Sequence, residues 1–243
     1  MIARGYRGPG SGNPMLLLSL VLLVVYFLTG SLQSPIQNAG RDPIGFVDFV
    51  VAILLSITVH EFMHAYAATR LGDDTARLMG RLTLNPLAHF DIFGTLMIIL
   101  FRFGYGKPVP FNEARLRGAF GVAIVAGAGP LTNVALAAAF ALPLRFGVAS
   151  AMGFEYERFL LTVVGINCLL AVFNLLPIPP LDGSNVVYGL LPPRQQYSWR
   201  QVQAYGPMIL IALLLFGGRF LSTIVIVPAQ WLESLFLGPG FFR

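Results

Sequence analysis

Long apolar segments separated by short polar connections make up most of this chain. The segments at 15–32, 45–69, 118–144 and 159–176 are long enough to cross a bilayer as helices, which takes about 20 apolar residues. Shorter apolar stretches follow at 206–216 and 220–236. The pattern predicts an all-α polytopic membrane protein with about six transmembrane helices.

The pattern alone does not decide how two regions of the chain cross the membrane. The apolar stretch at 96–101 is short for a crossing, so the region 91–104 is either a full span or a re-entrant segment. Gly217, Gly218 and Arg219 divide the region 206–237. That region is a kinked pair of helices, a hairpin, or one span followed by an interfacial helix.

The polar region after the second apolar segment has a different character. Apolar and polar residues alternate at 81–84, and prolines extend the chain at 107–110. These pieces predict a small membrane-associated β element between the second and later spans.

The N-terminal region contains a tail and the first span. Residues 1–14 are rich in Gly, Pro and Arg, which predicts a disordered tail. A cleaved signal peptide is the rival interpretation of 15–32. No A-x-A-like cleavage site follows and the run is long for a signal peptide, so we expect a retained span. Residues 15–243 are then a single transmembrane domain.

Composition and charge agree with a membrane protein. Of the 243 residues 56% are hydrophobic and 11% charged, whereas soluble domains carry about 25% charged residues. The net charge of +5 does not indicate a nucleic-acid partner, because the basic residues lie in connections between apolar runs. The single cysteine, Cys168, lies in an apolar run and is expected to be a small buried hydrophobe.

The basic residues also predict the orientation of the chain. With the N-terminus in the cytoplasm, only Arg41, Arg145 and Arg158 of the assignable basic residues fall outside. Those that fall inside are Arg4, Arg7, Arg70, Arg77, Arg81, Lys107, Arg115, Arg117, Arg194 and Arg200. Residues 60–64 then lie toward the cytoplasmic end of their helix.

Candidate chemistry lies in the second apolar segment, at His60-Glu61-Phe62-Met63-His64. Residues four apart share one face of a helix, so His60 and His64 can present their imidazoles to one metal ion. Glu61 lies about 100° further round, where its carboxylate can reach a water at the metal. Ionisable side chains at membrane depth cost about 2.5–3.5 kcal/mol each and are functional candidates by default. The pattern indicates a zinc hydrolase with an intramembrane active site.

A catalytic zinc site needs a third protein ligand. The metzincin third histidine is absent, since Arg70 stands at its position, and no glutamate follows Glu61 before Glu113. The remaining candidates are His89, Asp91, Glu113 and Asp182. Asp182 is favoured because it follows three prolines that stop an apolar helix and leave non-helical backbone at membrane depth. We expect His89 at the membrane interface, Asp91 as a helix cap, and Glu113 solvated beside Arg115 and Arg117.

Two motifs together resemble the site-2 protease family of intramembrane zinc metalloproteases. The first is H-E-x-x-H at 60–64, and the second is N-L-L-P-I-P-P-L-D-G at 174–183. Further similar stretches are L-G-D at 71–73, L-N-P-L-A-H at 84–89, K-P-V-P at 107–110 and G-P-L-T-N at 129–133. The resemblance covers about 45–192, the expected core of the domain, and is to a short form without PDZ or CBS domains.

The resemblance implies roles for individual residues. His60, His64 and Asp182 would hold one Zn²⁺ per chain, with Glu61 as the general base. Asn174 would donate its amide to the oxyanion, or else cap its helix end. Asn133 is expected to make an interhelical hydrogen bond.

The resemblance also implies a biological setting. The substrate would be a transmembrane protein whose helix unwinds locally, and the stretches 81–84 and 109–112 would hold it by strand addition. The protein would be a multi-pass protein of the cell membrane, a bacterial inner membrane, with its active site toward the cytoplasm. Its oligomeric state is not indicated. The alternatives are a membrane metal-binding or transport protein without protease activity, and an inactive family member.

Overall fold

The fold is taken from a computed structural model, which describes residues 40–90 and 107–238. The predicted tail at 1–14, the first span at 15–32 and the stretch at 91–104 lie outside the described residues. The described part is mostly helical. Its longer helices and short α-helical turns are α1 Pro43–Arg70, α2 Thr75–Leu78, α3 Gly121–Arg145, α4 Val148–Met152, α5 Phe154–Asn174, α6 Asp182–Leu190, α7 Pro193–Ala204, α8 Gly206–Phe216 and α9 Gly218–Leu237. Two 3₁₀ helices lie at Pro86–Ala88 and Glu113–Arg115.

Four of the described helices, α1, α3, α5 and α9, are long and apolar enough to cross a membrane. They have 28, 25, 21 and 20 residues, and at 1.5 Å per residue each reaches about 30 Å or more. The protein is therefore a multi-pass membrane protein. In the region 206–237, α8 ends before Gly217, and α9 contains a π-helical turn at Ser222–Ile226.

The sequence around α1 explains where this helix begins and ends. The Asp42 carboxylate accepts a hydrogen bond from Gly45 N at 2.8 Å, and Pro43 occupies the first turn. At the other end Gly72 adopts a φ of +104°, which ordinary residues avoid, and turns the chain away from the helix. The result is a 28-residue helix that carries residues 60–64 in its second half.

The Ala- and Gly-rich helix α3 is the most enclosed of the four candidate spans. In its most apolar window 44% of the residues are buried, against 17–33% for the other three. It packs against α1, α5 and α6. Small side chains allow this close approach: Gly189 of α6 lies so near Ala123 that a β-carbon there would overlap its backbone. Helix α3 is therefore the central helix of the described part.

Helix α5 ends at Asn174, just before the prolines that were predicted to stop it. Residues 175–181 form a tight irregular connection in which the Pro179–Pro180 bond is cis, and α6 begins at Asp182. Gly183 packs against the backbone of Leu175 and Leu176, where a side chain would overlap their carbonyl groups. This close packing places Asp182 beside the end of α5.

Helix α7 is a surface helix that holds α6 through polar side chains. Trp199 Nε1 donates to Ser184 O at 3.0 Å, and Gln203 Nε2 donates to Ser184 Oγ at 3.1 Å. Gln196 donates to Tyr188 O and Arg200 to the Tyr188 hydroxyl, so residues at i, i+3, i+4 and i+7 of α7 face α6. Since α6 carries Asp182, this contact fixes a part of the site.

The predicted β element is not confirmed. Within the described residues there is no strand, and Phe90 alone makes an isolated β-bridge. In the region 81–89, Pro86–Ala88 is a 3₁₀ helix, and several backbone groups bond to side chains. Thr83 O accepts from His89 Nε2 at 2.7 Å, Leu87 N donates to Asn85 Oδ1 at 3.1 Å, and Arg81 donates to Ala88 O.

Candidate metal centre

Three of the predicted site residues converge between α1 and α6. His60 Nε2 lies 3.0 Å from Asp182 Oδ2, and His64 Nε2 lies 3.3 Å from the same oxygen. The two Nε2 atoms are 3.0 Å apart. His60 and His64 share one face of α1, as their spacing of four predicts. All three side chains can hold one metal ion.

The second ring nitrogen of each histidine is hydrogen-bonded away from the cluster. His64 Nδ1 lies 2.7 Å from Val125 O, a carbonyl that can only accept, so Nδ1 carries the hydrogen. His60 Nδ1 lies 2.6 Å from Asn133 Oδ1. Both Nε2 lone pairs are therefore free to face a metal, the arrangement found where metal-binding histidines are oriented by a second partner. The predicted interhelical hydrogen bond of Asn133 is confirmed.

Gly129 of α3 forms the wall opposite the histidines. A β-carbon added to Gly129 would lie 2.6 Å from His60 Nε2, and nearer still to His64 Nε2. That is too close for any real side chain, so only glycine leaves the space beside the ring nitrogens open. The structure thus has a small cradle where the three ligand atoms meet.

The cradle fits zinc by the chemistry of its donors. Two imidazole nitrogens and one carboxylate oxygen are ligands that zinc prefers, and three protein ligands leave a fourth position for water or substrate. His60 and His64 are 6% and 7% exposed, so the site is enclosed but not sealed. The donor set and the glycine wall together support a catalytic site.

Other predicted candidates lie outside this cluster. Glu61 is half-buried on α1, next to His60. Asn174 is the half-buried last residue of α5, and its side chain makes no hydrogen bond within the described residues. Asp91 lies outside the described residues. Glu113 is exposed, as predicted, and its carboxylate accepts hydrogen bonds from Arg200 at 2.6 Å and Tyr188 at 3.1 Å.

His89 is a buried residue of the loop before the undescribed stretch. Its side chain is fully buried, and Nε2 donates to Thr83 O. Its backbone carbonyl accepts from Lys107 N at 2.6 Å. It belongs to the loop structure and is not part of the ligand cluster.

Sequence reasoning missed two residues behind the cluster, Ser56 and Asn167. Both are fully buried and bonded to each other, with Asn167 Nδ2 2.8 Å from Ser56 Oγ. Asn167 also bonds to Asn133 at 2.8 Å. A signal was available, because Ser56 lies four residues before His60 and Asn167 is a strongly polar residue in an apolar span.

Comparison with known proteins agrees with this centre. The sequence profile of Peptidase family M50 matches residues 147–217, which include the second motif. "Putative zinc metalloprotease YwhC" of Bacillus subtilis is 38% identical over 175 residues, covering 68% of this chain and 78% of the relative. This chain belongs to Peptidase family M50.

Other members of the family are also similar to this M50 peptidase. "Putative zinc metalloprotease Rip2" of Mycolicibacterium smegmatis is 31% identical over 70% of this chain and 67% of the relative. "Putative zinc metalloprotease Rip2" of Mycobacterium tuberculosis is 30% identical over 78% of this chain and 73% of the relative. No solved structure matches the chain. The predicted site-2 protease resemblance is confirmed, and with it the class of intramembrane zinc metalloprotease.

Proposed function

We propose that this M50 peptidase hydrolyses peptide bonds within or next to transmembrane helices of membrane-protein substrates. Such cleavage is the reaction of regulated intramembrane proteolysis. The observation that carries the proposal is the convergence of His60, His64 and Asp182 on one point beside Gly129. The two histidines and the glycine lie in the candidate membrane-spanning helices α1 and α3, and Asp182 reaches them from the start of α6. Placing ionisable groups at such a position costs free energy, which makes them functional-site candidates by default.

The proposed roles follow from the position and chemistry of each side chain. His60, His64 and Asp182 hold the zinc ion. When bound, zinc supplies Lewis acidity that polarises the scissile carbonyl and lowers the pKa of water toward about 7. Glu61 accepts the proton of the attacking water at its carboxylate and later delivers it to the nitrogen of the departing peptide. The helix that supplies two ligands thus also supplies the base.

Asn174 is the proposed donor to the oxyanion. It ends α5 directly before the segment that packs on Gly183, the neighbour of Asp182 in the chain. An amide N–H is a neutral donor, so it can stabilise charge that develops on the carbonyl oxygen without competing for the metal. Asn174→Ala should therefore lower kcat while zinc binding stays unchanged.

The segment 107–112 is the proposed binding edge for the unwound substrate. It has no regular secondary structure, and its ends are fixed by bonds from Lys107 N to His89 O and from Asn112 N to Asp73. Between them, no backbone bond within the described residues uses Val109 N or Phe111 N. An extended substrate can pair with these groups by strand addition, and the predicted β element then forms only with substrate present.

The proposed topology has about six transmembrane helices, counting segments at 15–32 and 206–216 besides the four candidate spans. The basic connections place the site toward the cytoplasmic side of the cell membrane, a bacterial inner membrane. Residues 15–243 form one protease domain in this proposal. The lipid bilayer is both its solvent and the source of its substrates.

The activity is tested with the full chain purified in detergent and tagged single-span membrane proteins as substrates. We expect cleavage near the membrane segment, its loss with a chelator, and its return with added zinc. Soluble proteins of similar length are the control. A purified chain that binds zinc but cleaves none of a broad panel of membrane substrates would favour the metal-binding or transport alternative.

The ligand set is tested separately by zinc affinity. His60→Ala, His64→Ala and Asp182→Ala should each weaken zinc binding strongly. His89→Ala is the matched control, because His89 lies in a loop and bonds to Thr83 O. Zinc held at wild-type affinity by Asp182→Ala would reject the third ligand.

A further inference from the structure

Three fully buried polar side chains from three different helices lie in a row behind His60. Asn133 of α3 bonds to His60, Asn167 of α5 bonds to Asn133, and Ser56 of α1 bonds to Asn167. All three have no exposed surface. Buried amides and hydroxyls are expensive unless each donor and acceptor is paired, so the row requires an explanation.

Backbone carbonyls fix the direction of every hydrogen bond in this row. Asn167 Nδ2 lies 2.9 Å from Val163 O, and a carbonyl can only accept, so the amide NH₂ of Asn167 points there. Ser56 Oγ donates to Ala52 O at 2.7 Å and therefore accepts from Asn167. The Asn167 side chain is thus held with its oxygen toward Asn133.

The orientation of Asn167 determines that of Asn133. Asn133 must present Nδ2 to Asn167 Oδ1 at 2.8 Å, and this leaves Oδ1 to face His60 Nδ1 at 2.6 Å. An amide oxygen accepts only, so the proton of the His60 ring sits on Nδ1. Nε2 is then the unprotonated nitrogen, the one that faces His64 and Asp182.

We propose that Asn133 and Asn167 are positioning residues that hold His60 in the tautomer required for zinc binding. The tautomer of His64 is fixed directly by the hydrogen bond from its Nδ1 to Val125 O. The tautomer of His60 is instead set by the two amides of Asn133 and Asn167, since no backbone carbonyl of residues 40–90 or 107–238 bonds to His60 Nδ1. This inference rests on the proposed ligand set and extends it to residues that do not touch the metal.

The competing explanation is that these hydrogen bonds only stabilise helix packing, and it makes different predictions. Stabilisation of packing requires only that the amides pair, so a variant that loses these bonds should unfold more easily but keep its zinc affinity. Tautomer control requires an acceptor at the position of Asn133 Oδ1. Asn133→Asp keeps that acceptor, whereas Asn133→Leu removes it at similar volume.

The test uses zinc-loaded full chain with isotope-labelled histidine. The chain contains only three histidines, so each ring can be followed by its nitrogen resonances. His89 is an internal reference of the opposite tautomer, since its Nε2 donates to Thr83 O. In the wild type we expect His60 and His64 to show Nδ1–H with zinc on Nε2.

The variants are compared in zinc affinity, histidine spectra and thermal unfolding midpoint. Asn133→Leu should weaken zinc affinity by about 10- to 100-fold, the range for loss of an outer partner of a metal ligand. Asn133→Asp should keep the His60 tautomer and most of the affinity, even where it unfolds at lower temperature. In Asn167→Leu, the nitrogen resonances of His60 should show a mixture of the two tautomers. Thr132→Ala is the control, because within the described part of the chain the Thr132 hydroxyl bonds only to Ala128 O of its own helix.

Several results would overturn the inference. Folded Asn133→Leu with wild-type zinc affinity and an unchanged His60 spectrum would do so. If Asn133→Asp and Asn133→Leu lose zinc affinity equally, the three buried polar side chains act only in helix packing. If the His60 resonances are unchanged in Asn167→Leu, Asn167 does not position His60. If His60→Ala also keeps wild-type zinc affinity, the ligand set itself is wrong and both proposals fall. If zinc affinity falls in His60→Ala but not in Asn133→Leu, only the proposed role of the asparagines is rejected.

Discussion

Gly129 lies against His60 so closely that a β-carbon on the glycine would be 2.6 Å from His60 Nε2. This relationship joins the central helix α3 to the face of α1 that carries His60 and His64. It explains why a side chain cannot be tolerated at a position that is otherwise an ordinary point of contact between two apolar helices. The space left open by the missing β-carbon adjoins the ligand nitrogens.

The first prediction concerns this glycine. Gly129→Ala should abolish zinc binding or reduce it by orders of magnitude, because the methyl group occupies the space beside both Nε2 atoms. Gly127→Ala is the control on the same helix, where the nearest atom, Val186 Cγ2, would be 3.9 Å away. Zinc competition with a chelator measures both. Wild-type zinc affinity in a folded Gly129→Ala protein would contradict the assigned metal position.

The second prediction separates the base from the ligands. Glu61→Gln should lower cleavage by about 10²- to 10⁴-fold, the usual contribution of general acid–base catalysis. Zinc affinity should stay near the wild-type value, because Glu61 is outside the ligand cluster. Cleavage rate and zinc content are measured on the same preparations. Cleavage that survives this substitution would reject Glu61 as the base.

The third prediction tests the binding edge at 107–112. Val109→Pro removes a backbone N–H that has no partner within the described residues, and proline is already present at 108 and 110. We expect a higher KM for transmembrane substrates with zinc content unchanged. Val109→Ala keeps the N–H and is the control. Equal kinetics for the two variants would argue against strand addition at this position.

The fourth prediction concerns Asp73, a fully buried carboxylate in the loop after α1. Burial alone would raise its pKa. Hydrogen bonds from Thr75 and from the Asn112 backbone, together with the charge of Arg115, outweigh burial and hold the pKa of Asp73 below its ordinary value of 3.8. The ionised group therefore stabilises the folded loop above pH 3.8, and that stabilisation is lost as the pH falls through the lower, folded pKa.

Asp73→Asn should remove this stabilisation, at a cost of about 1–3 kcal/mol at neutral pH. Hydrogen exchange of the Asn112 amide, which bonds to Asp73, measures the effect locally. The difference between variant and wild type should shrink as the pH falls below 3.8. A difference that stays constant into acid would contradict the role of the ionised carboxylate. Asp74→Asn is the control, since Asp74 pairs with Arg77 at the surface.

Much of the site was predictable because its signals are local. The spacing of His60 and His64 determines a shared helix face, and the prolines after Asn174 determine where α5 ends. The predicted strand at 81–84 failed to appear because alternation in four residues is a weak signal. There Thr83, Asn85 and His89 supply side-chain partners that replace a neighbouring strand.

The sequence by itself determined the membrane class, the two motifs and the candidate ligands, because periodicity, hydropathy and residue chemistry are properties of neighbouring positions. Only the tertiary structure decided that Asp182 meets both histidines, that Gly129 forms the wall of the cradle, and that Asn167 reaches His60 through Asn133. These relationships join residues more than 30 positions apart. They depend on how closely three helices approach, which packing of small side chains sets and no local pattern specifies.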